Sequence, residues 1–250
     1  MIFGYFDVIF RFFCLHLQAG NEKSSRKVIK MNQNVSLDLM QFVETQILPQ
    51  YSAFGRSHDI RHVQRVIEQS LQLAKTIGAD INMAYVVAAY HDIGMSGPRA
   101  IHHVTGGKIL AADQRLLKWF SPQQIAIMRE AVEDHRASLS HAPRSIYGKI
   151  VAEADRDLAP EVVLTRTVQF GLENYPEKGK EEHWERFAEH LKNKYSAQGY
   201  ITLWIPNSPN EQHLRELRKM IADPKRLRHE FERVYEREVS INNYQLSINN

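Results

Sequence analysis

The stretch MAYVVAAYHDIG, Met83 to Gly94, runs eight apolar, small or aromatic residues into an adjacent His91 and Asp92. It reads as an apolar helix that carries an imidazole and a carboxylate to the bottom of a core. Burying both groups is costly unless each has a partner, and a divalent cation partners both at once. Gly94 suits a helix stop and lets a second backbone come close. A lone His-Asp pair at a helix end is equally a surface feature, so the residues on either side have to decide.

Upstream, Val63, Val66, Ile67, Leu71 and Ala74 form one apolar stripe in a helix from about His58 to Ile77, which Gly78 stops. His58 and His62 stand four apart and so project from one face of its first turn. Before it, Leu37, Met40, Val43, Ile47 and Leu48 have helical spacing, with Ser36 as N-cap and Pro49 near the stop. Downstream, a Gly97-Pro98 loop leads to Ile101, His102 and His103 and a helix through about Trp119. Ser121-Pro122 starts another, running to His135. Residues 145–157 predict a helix carrying Glu153, Asp155 and Asp157, and Glu161 to Tyr175 continues with helical periodicity. Tyr200 to Trp204 reads as extended, and Pro209 opens a last helical pair broken at Asp223-Pro224. The polar tail from Ser240 reads as frayed. No useful strand alternation precedes residue 199, so the expectation is an all-α, single compact helical bundle.

The bounds from composition agree. A chain of 250 residues with 43% hydrophobic content can bury a full core. One cysteine, Cys14, excludes a disulfide framework and a thiolate metal cluster within one chain, whereas twelve histidines supply imidazole freely. That usage fits a reducing compartment, and the expected location is cytoplasmic. The net charge of +3 has no long like-charge run, which points to small anionic substrates and not to nucleic acid. Residues 1–30 are an apolar leader broken by Asp7, Arg11 and His16, each expensive at mid-bilayer, so no membrane span is expected. They read as a non-native or disordered segment with Met31 as the natural start, a membrane-lying anchor being the alternative. The domain division that follows is 1–30, a helical domain over 31–240 with its core at 57–166 and a helical C-terminal extension at 180–240, and a tail at 241–250.

His62, His91, Asp92 and Asp155 each fall near the end of a predicted helix. Two imidazoles and two carboxylates converging on one point would suit Mn, Fe, Co, Ni, Mg or Zn. In this pattern of His, His-Asp and Asp, with His91-Asp92-Ile93-Gly94 spelling HDIG, the chain resembles the HD-domain metal-dependent phosphohydrolase superfamily over roughly residues 57–166. HDIRHVQRV (58–66), HHVTGGKIL (102–110), EDHRAS (133–138) and EADRDL (153–158) are similar to the small bacterial HD hydrolases that include nucleotide pyrophosphohydrolases.

The resemblance implies a multi-helix HD bundle in which His62, His91, Asp92 and Asp155 hold one divalent ion and Asp92 also orients the attacking water. It implies that His102, with His103 competing for the place, and His135 either hold a second ion or face the phosphate. Met95 and Ser96 stand where some relatives carry an acidic residue, which leaves the general acid or base open. The implied activity is hydrolysis of a small phosphorylated substrate, most readily a nucleotide, by metal-activated water. Arg61, Lys108, Arg136 and Lys149 are then the candidate phosphate contacts, and His58 supports a ligand or packs in the core. A regulatory module that binds a nucleotide without cleaving it is the competing reading. His141, His183, His190, His213 and His229 are expected at the surface. The aromatics Tyr195, Tyr200 and Trp204 are assigned to core or homodimer packing.

Overall fold

The computed structural model describes residues 35–54, 58–137, 139 and 141–248, the side chains of 243–248 aside. The expectations for residues 1–30 and for a start at Met31 lie outside the described residues. Ten α-helices in this span are α1 (Leu37–Gln46), α2 (Ile60–Ile77), α3 (Ile81–Tyr90), α4 (His102–Ala112), α5 (Pro122–Glu133), α6 (Ile146–Asp155), α7 (Pro160–Asn174), α8 (Lys180–Tyr195), α9 (Pro209–Ile221) and α10 (Pro224–Ile248). No strand occurs among the described residues, so the fold is all-α.

Helix α3 is the hub. Every residue from Met83 to Tyr90 is buried, and α1, α2, α4, α5 and α6 all touch this helix. An all-apolar helix has no solvent face to offer, so the other elements must wrap it. Asp80 caps its start by accepting from the Met83 amide at 3.0 Å. At its far end Tyr51 donates its hydroxyl to the Ala89 carbonyl (2.9 Å) and accepts from the Asp92 amide (3.3 Å). That pair ties the short 3-10 turn Leu48–Ala53 to the turn that carries His91 and Asp92.

Helix α2 starts on Asp59, whose carboxylate accepts from the Arg61 and His62 amides, and stops at Gly78 in the left-handed region (φ 70°). Gly94 acts differently. The chain after Asp92 forms a 3-10 turn, Ile93–Ser96, against the first turns of α4. A Cβ on Gly94 would collide with the His102 carbonyl and lie 2.5 Å from the Gly106 nitrogen. The glycine is there for close backbone approach and not as a left-handed helix stop.

Two apolar clusters form the interior. The first gathers α1 to α6 around α3; the second is built from α7 to α10 and includes Leu164, Phe187, Leu191, Leu217 and Phe231. The segment between α8 and α9 joins them. Ile205 packs into the first cluster, while Ile201 belongs to the second. The fully buried Glu153 of α6 accepts from the Trp204 amide at 2.9 Å and from the Ser208 hydroxyl at 2.6 Å. Asn210 reaches back to the carbonyls of Glu153 and Arg156, both at 2.9 Å.

Several local expectations change. Ser36 makes no capping bond to α1. The helix expected through Trp119 ends at Ala112, because Asp113 caps a separate 3-10 turn, Gln114–Lys118, through the Arg115 amide. The α10 helix stays helical to Ile248 in place of a frayed tail from Ser240, while residues 201–204 lie in neither helix nor strand. His183 is 3% exposed, not a surface residue, and its ring lies 5.7 Å from that of Tyr235. Tyr195 packs in the second core, as the core-packing assignment has it, whereas Tyr200 is 58% exposed and so lies outside the core.

Candidate metal centre

Three elements place their polar ends at one point. His62 comes from the first turn of α2, His91 and Asp92 from the turn after α3, and Asp155 from the last residue of α6. The His62 Nε2 lies 3.1 Å from His91 Nε2, 3.4 Å from Asp92 Oδ2 and 3.2 Å from Asp155 Oδ1. His91 Nε2 lies 3.2 Å from Asp92 Oδ2 and 3.9 Å from Asp155 Oδ1. Ligand bonds of about 2.1 Å in a tetrahedral set imply edges of about 3.4 Å, so these separations fit one divalent ion.

The other Asp92 oxygen serves a second group. Oδ1 lies 3.2 Å from His102 Nε2 and 3.5 Å from His135 Nε2, and those two nitrogens are 3.0 Å apart. His91, His102 and His135 each point Nδ1 at a backbone carbonyl three residues earlier, at Ala88, Arg99 and Val132, with distances of 2.7–2.8 Å. A ring nitrogen that close to a carbonyl must carry the proton, so Nε2 is left to present a lone pair inward. Lone pairs from His102 and His135 facing one another at 3.0 Å repel unless a cation sits between them. Consistent with that, Asp92 Oδ1 is buried with no hydrogen-bond partner among the described residues. The donor set and the orphaned oxygen fit a divalent ion in this second group as well.

Charge shapes the site strongly. Burial would raise the Asp92 carboxyl, but the imidazoles that surround it, His91 first and then His102, His135 and His58, outweigh that and hold the group far below the usual carboxylate range. Burial likewise opposes ionisation of Asp155, and the His62 bond with the His91 charge overcomes it. Burial opposes charge on His62 too, yet bonds to Asp155 and Asp92 lift it to about 9. In the metal-free protein His62 is therefore protonated at neutral pH. This raised value stabilises the metal-free fold fully below the ordinary histidine range, and that stabilisation is lost as pH rises through about 9. A metal must displace the same proton. Metal uptake is expected to release a proton near neutral pH, with affinity rising up to about tenfold per pH unit until about pH 9. Calorimetric titration in buffers of different ionisation enthalpy measures the release; binding without proton release at neutral pH would contradict it.

The structure does not bring every sequence candidate here. His103 stays out: its Nδ1 is buried without a partner, and burial, together with the nearby Arg136 charge, lowers it to about 4. His102 takes the inward place. Arg61 is spent on Asp59 in an exposed pair at 2.7 Å. Lys108 is exposed, on the face of α4 opposite His102, Gly106 and Leu110. Lys149 is half-buried on α6, six positions before Asp155 and so on a different face of the helix. Arg136 follows His135 and donates to the Ala100 carbonyl at 2.8 Å.

Two further contributors are not among the sequence candidates for direct roles. His58 places Nδ1 2.6 Å from Asp92 Oδ2. Arg65 donates to the carbonyls of Ala154 (3.2 Å) and Asp155 (3.1 Å) and lies 3.4 Å from His62 Nδ1. It thereby fixes the end of α6 against α2. Its place three residues after His62, on one helix face, was the available signal.

Comparisons with known proteins follow the geometry. A family model described as HD domain matches residues 59–159. A tRNA (cytidine(56)-2'-O)-methyltransferase of Thermoplasma volcanium is 34% identical over 135 residues, covering 52% of this chain and 39% of that protein. The chain thus spans about two-fifths of the length of that curated relative. A crystal structure described as a predicted HD superfamily hydrolase, from an uncultured Thermotogales bacterium, aligns with a TM-score of 0.44 and 22% identity. It covers 64% of this chain and 87% of the other.

Proposed function

Residues 59–159 form an HD domain, and from that premise we propose that this protein is a metal-dependent phosphohydrolase acting on a small phosphorylated metabolite, a nucleotide before others. The observation that carries the proposal is the meeting of His62, His91, Asp92 and Asp155 within 3.9 Å of His91 and His62. These four are the proposed ligands of one divalent ion. Where the sequence leads to one ion, the group formed by Asp92, His102 and His135 could hold a second, with Asp92 offering Oδ2 to the first group and Oδ1 to the other.

A divalent ion in such a site acidifies water and polarises a phosphoryl oxygen. The chain supplies the rest. Asp92, held ionised, turns Oδ2 to the first group and Oδ1 to the second, and is placed to orient the attacking water between them. His58, hydrogen-bonded to that carboxylate, is placed to take up or return a proton. Arg65 keeps Asp155 and His62 in register. No described helix is long and apolar enough to cross a membrane, and the proposed substrate is a small molecule met in solution. The tRNA methylation in the relative's name is not part of this reading, because the chain accounts for so little of that protein.

The test is a panel of nucleoside mono-, di- and triphosphates, cyclic nucleotides and sugar phosphates with Mn, Co, Ni and Mg. Both phosphate and pyrophosphate release are scored. Turnover of at least one phosphorylated substrate with a bound divalent metal is expected. Retained metal without release from any member would favour the regulatory nucleotide-binding reading.

A further inference from the structure

Beside the metal centre lies a cleft of about 230 Å³ whose walls include Arg136, His141, Arg156, Tyr200, Thr202 and Trp204. Arg136 and Arg156 neighbour His135 and Asp155 in sequence, and the Arg156 guanidinium feels the Asp155 charge, so the cleft wall and the centre share the same ends of α5 and α6. The Asp155 edge of the centre is its open one: that side chain is 29% exposed, against 9% for His62, 2% for Asp92 and 0% for His91.

The cleft is rich in unused donors. The Arg156 Nε and the Trp204 Nε1 are both buried with no acceptor among the described residues. Arg156 directs Nη1 to the Thr202 carbonyl, which fixes the guanidinium in place. The acidic residue on the wall, Asp134, is already neutralised: Arg144 reaches it through its backbone amide at 2.7 Å and through Nη2 at 2.9 Å. Two arginines and an indole N–H with no free carboxylate select an oxyanion. At the rim, the exposed Tyr200 ring offers a face on which a planar base can stack.

We propose that this cleft binds the second phosphate and the base of a nucleoside di- or triphosphate whose first phosphate lies at the metal centre. The proposal rests on the phosphohydrolase reading and narrows its substrate to a phosphoanhydride. The segment after α8 would then supply specificity while the HD domain supplies the chemistry.

Binding can be measured apart from turnover. Calorimetric titration of the full chain with its divalent metal bound, using inorganic pyrophosphate and ADP as their non-cleavable methylene analogues, is compared among wild type, R136Q, R156Q and Y200A. Each variant is first matched to wild type by its helical signal and its metal uptake. R136Q and R156Q are expected to weaken both ligands by about tenfold or more, while Y200A weakens ADP several-fold and leaves pyrophosphate unchanged. Should R156Q fail to fold, R136Q still decides the anion half. Wild-type chain that binds neither ligand, arginine variants that bind like wild type, or ADP binding untouched by Y200A would overturn the proposal. Persistent binding with no turnover of any phosphorylated compound would instead count against the hydrolase reading.

Discussion

Asp92→Asn is expected to strip the protein of metal and to lower turnover by roughly a thousandfold or more, the scale set by several kcal/mol of lost charge stabilisation. The asparagine keeps the shape of the side chain but removes the anion on which both metal-binding groups depend. Asp92 stands within 3.5 Å of His58, His62, His91, His102 and His135. Take away its charge and five imidazoles face one another with Asp155 as the one counter-ion among the described residues, at the exposed edge. The helical signal should change little, since α3 is held by apolar contacts that the substitution leaves alone. Metal analysis of the purified variant, paired with the substrate panel, gives the answer. Near-stoichiometric metal with wild-type turnover would place the chemistry elsewhere in the chain.

Gly94→Ala should be the most damaging of the conservative substitutions. One methyl group there meets backbone atoms, the His102 carbonyl and the Gly106 nitrogen, and neither can swing aside as a side chain would. Overpacking against fixed atoms costs about 3 kcal/mol or more. For a chain of this size that corresponds to a fall in Tm of roughly 6–12 °C. Relief requires α4 to move away from the 3-10 turn, and α4 begins with His102. The loss of stability should therefore come with weaker metal binding, seen by thermal unfolding with and without added Mn. A variant that melts with the wild type would show that the two backbones have room to separate.

How much of this was legible in the sequence differs by residue. The apolar run into His91 and Asp92 announces its own burial, because eight successive residues with no polar face cannot lie on a surface. His62 was legible from helical phase. The cations were not: residues adjacent to a ligand on a helix point about 100° away from it, so Arg61 beside His62 faces solvent, while Arg65, one turn on, faces in. Arg156, Trp204 and Glu153 come together across 48–51 residues through a loop with no regular period, and no local pattern records such a meeting. His58 reads from the sequence as a supporting residue, but its contact with Asp92 depends on how the loop enters α2, which spacing alone does not give.

Glu153 has a consequence for how the chain is made. It sits two residues before Asp155 on α6, fully buried, and its carboxylate partners are the Trp204 amide and the Ser208 hydroxyl, the latter 55 residues later in the chain. A ribosome delivers α1 to α6 first, at about 5–20 residues per second. During that interval Glu153 has no partner, and a buried unpaired carboxylate is not tolerated. The end of α6 must stay open to water until the segment after α8 arrives to close over it. Asp155 ends the same helix two residues on, so a nascent chain halted before Ser208 is expected to carry all four proposed ligands without the contacts that close the end of α6.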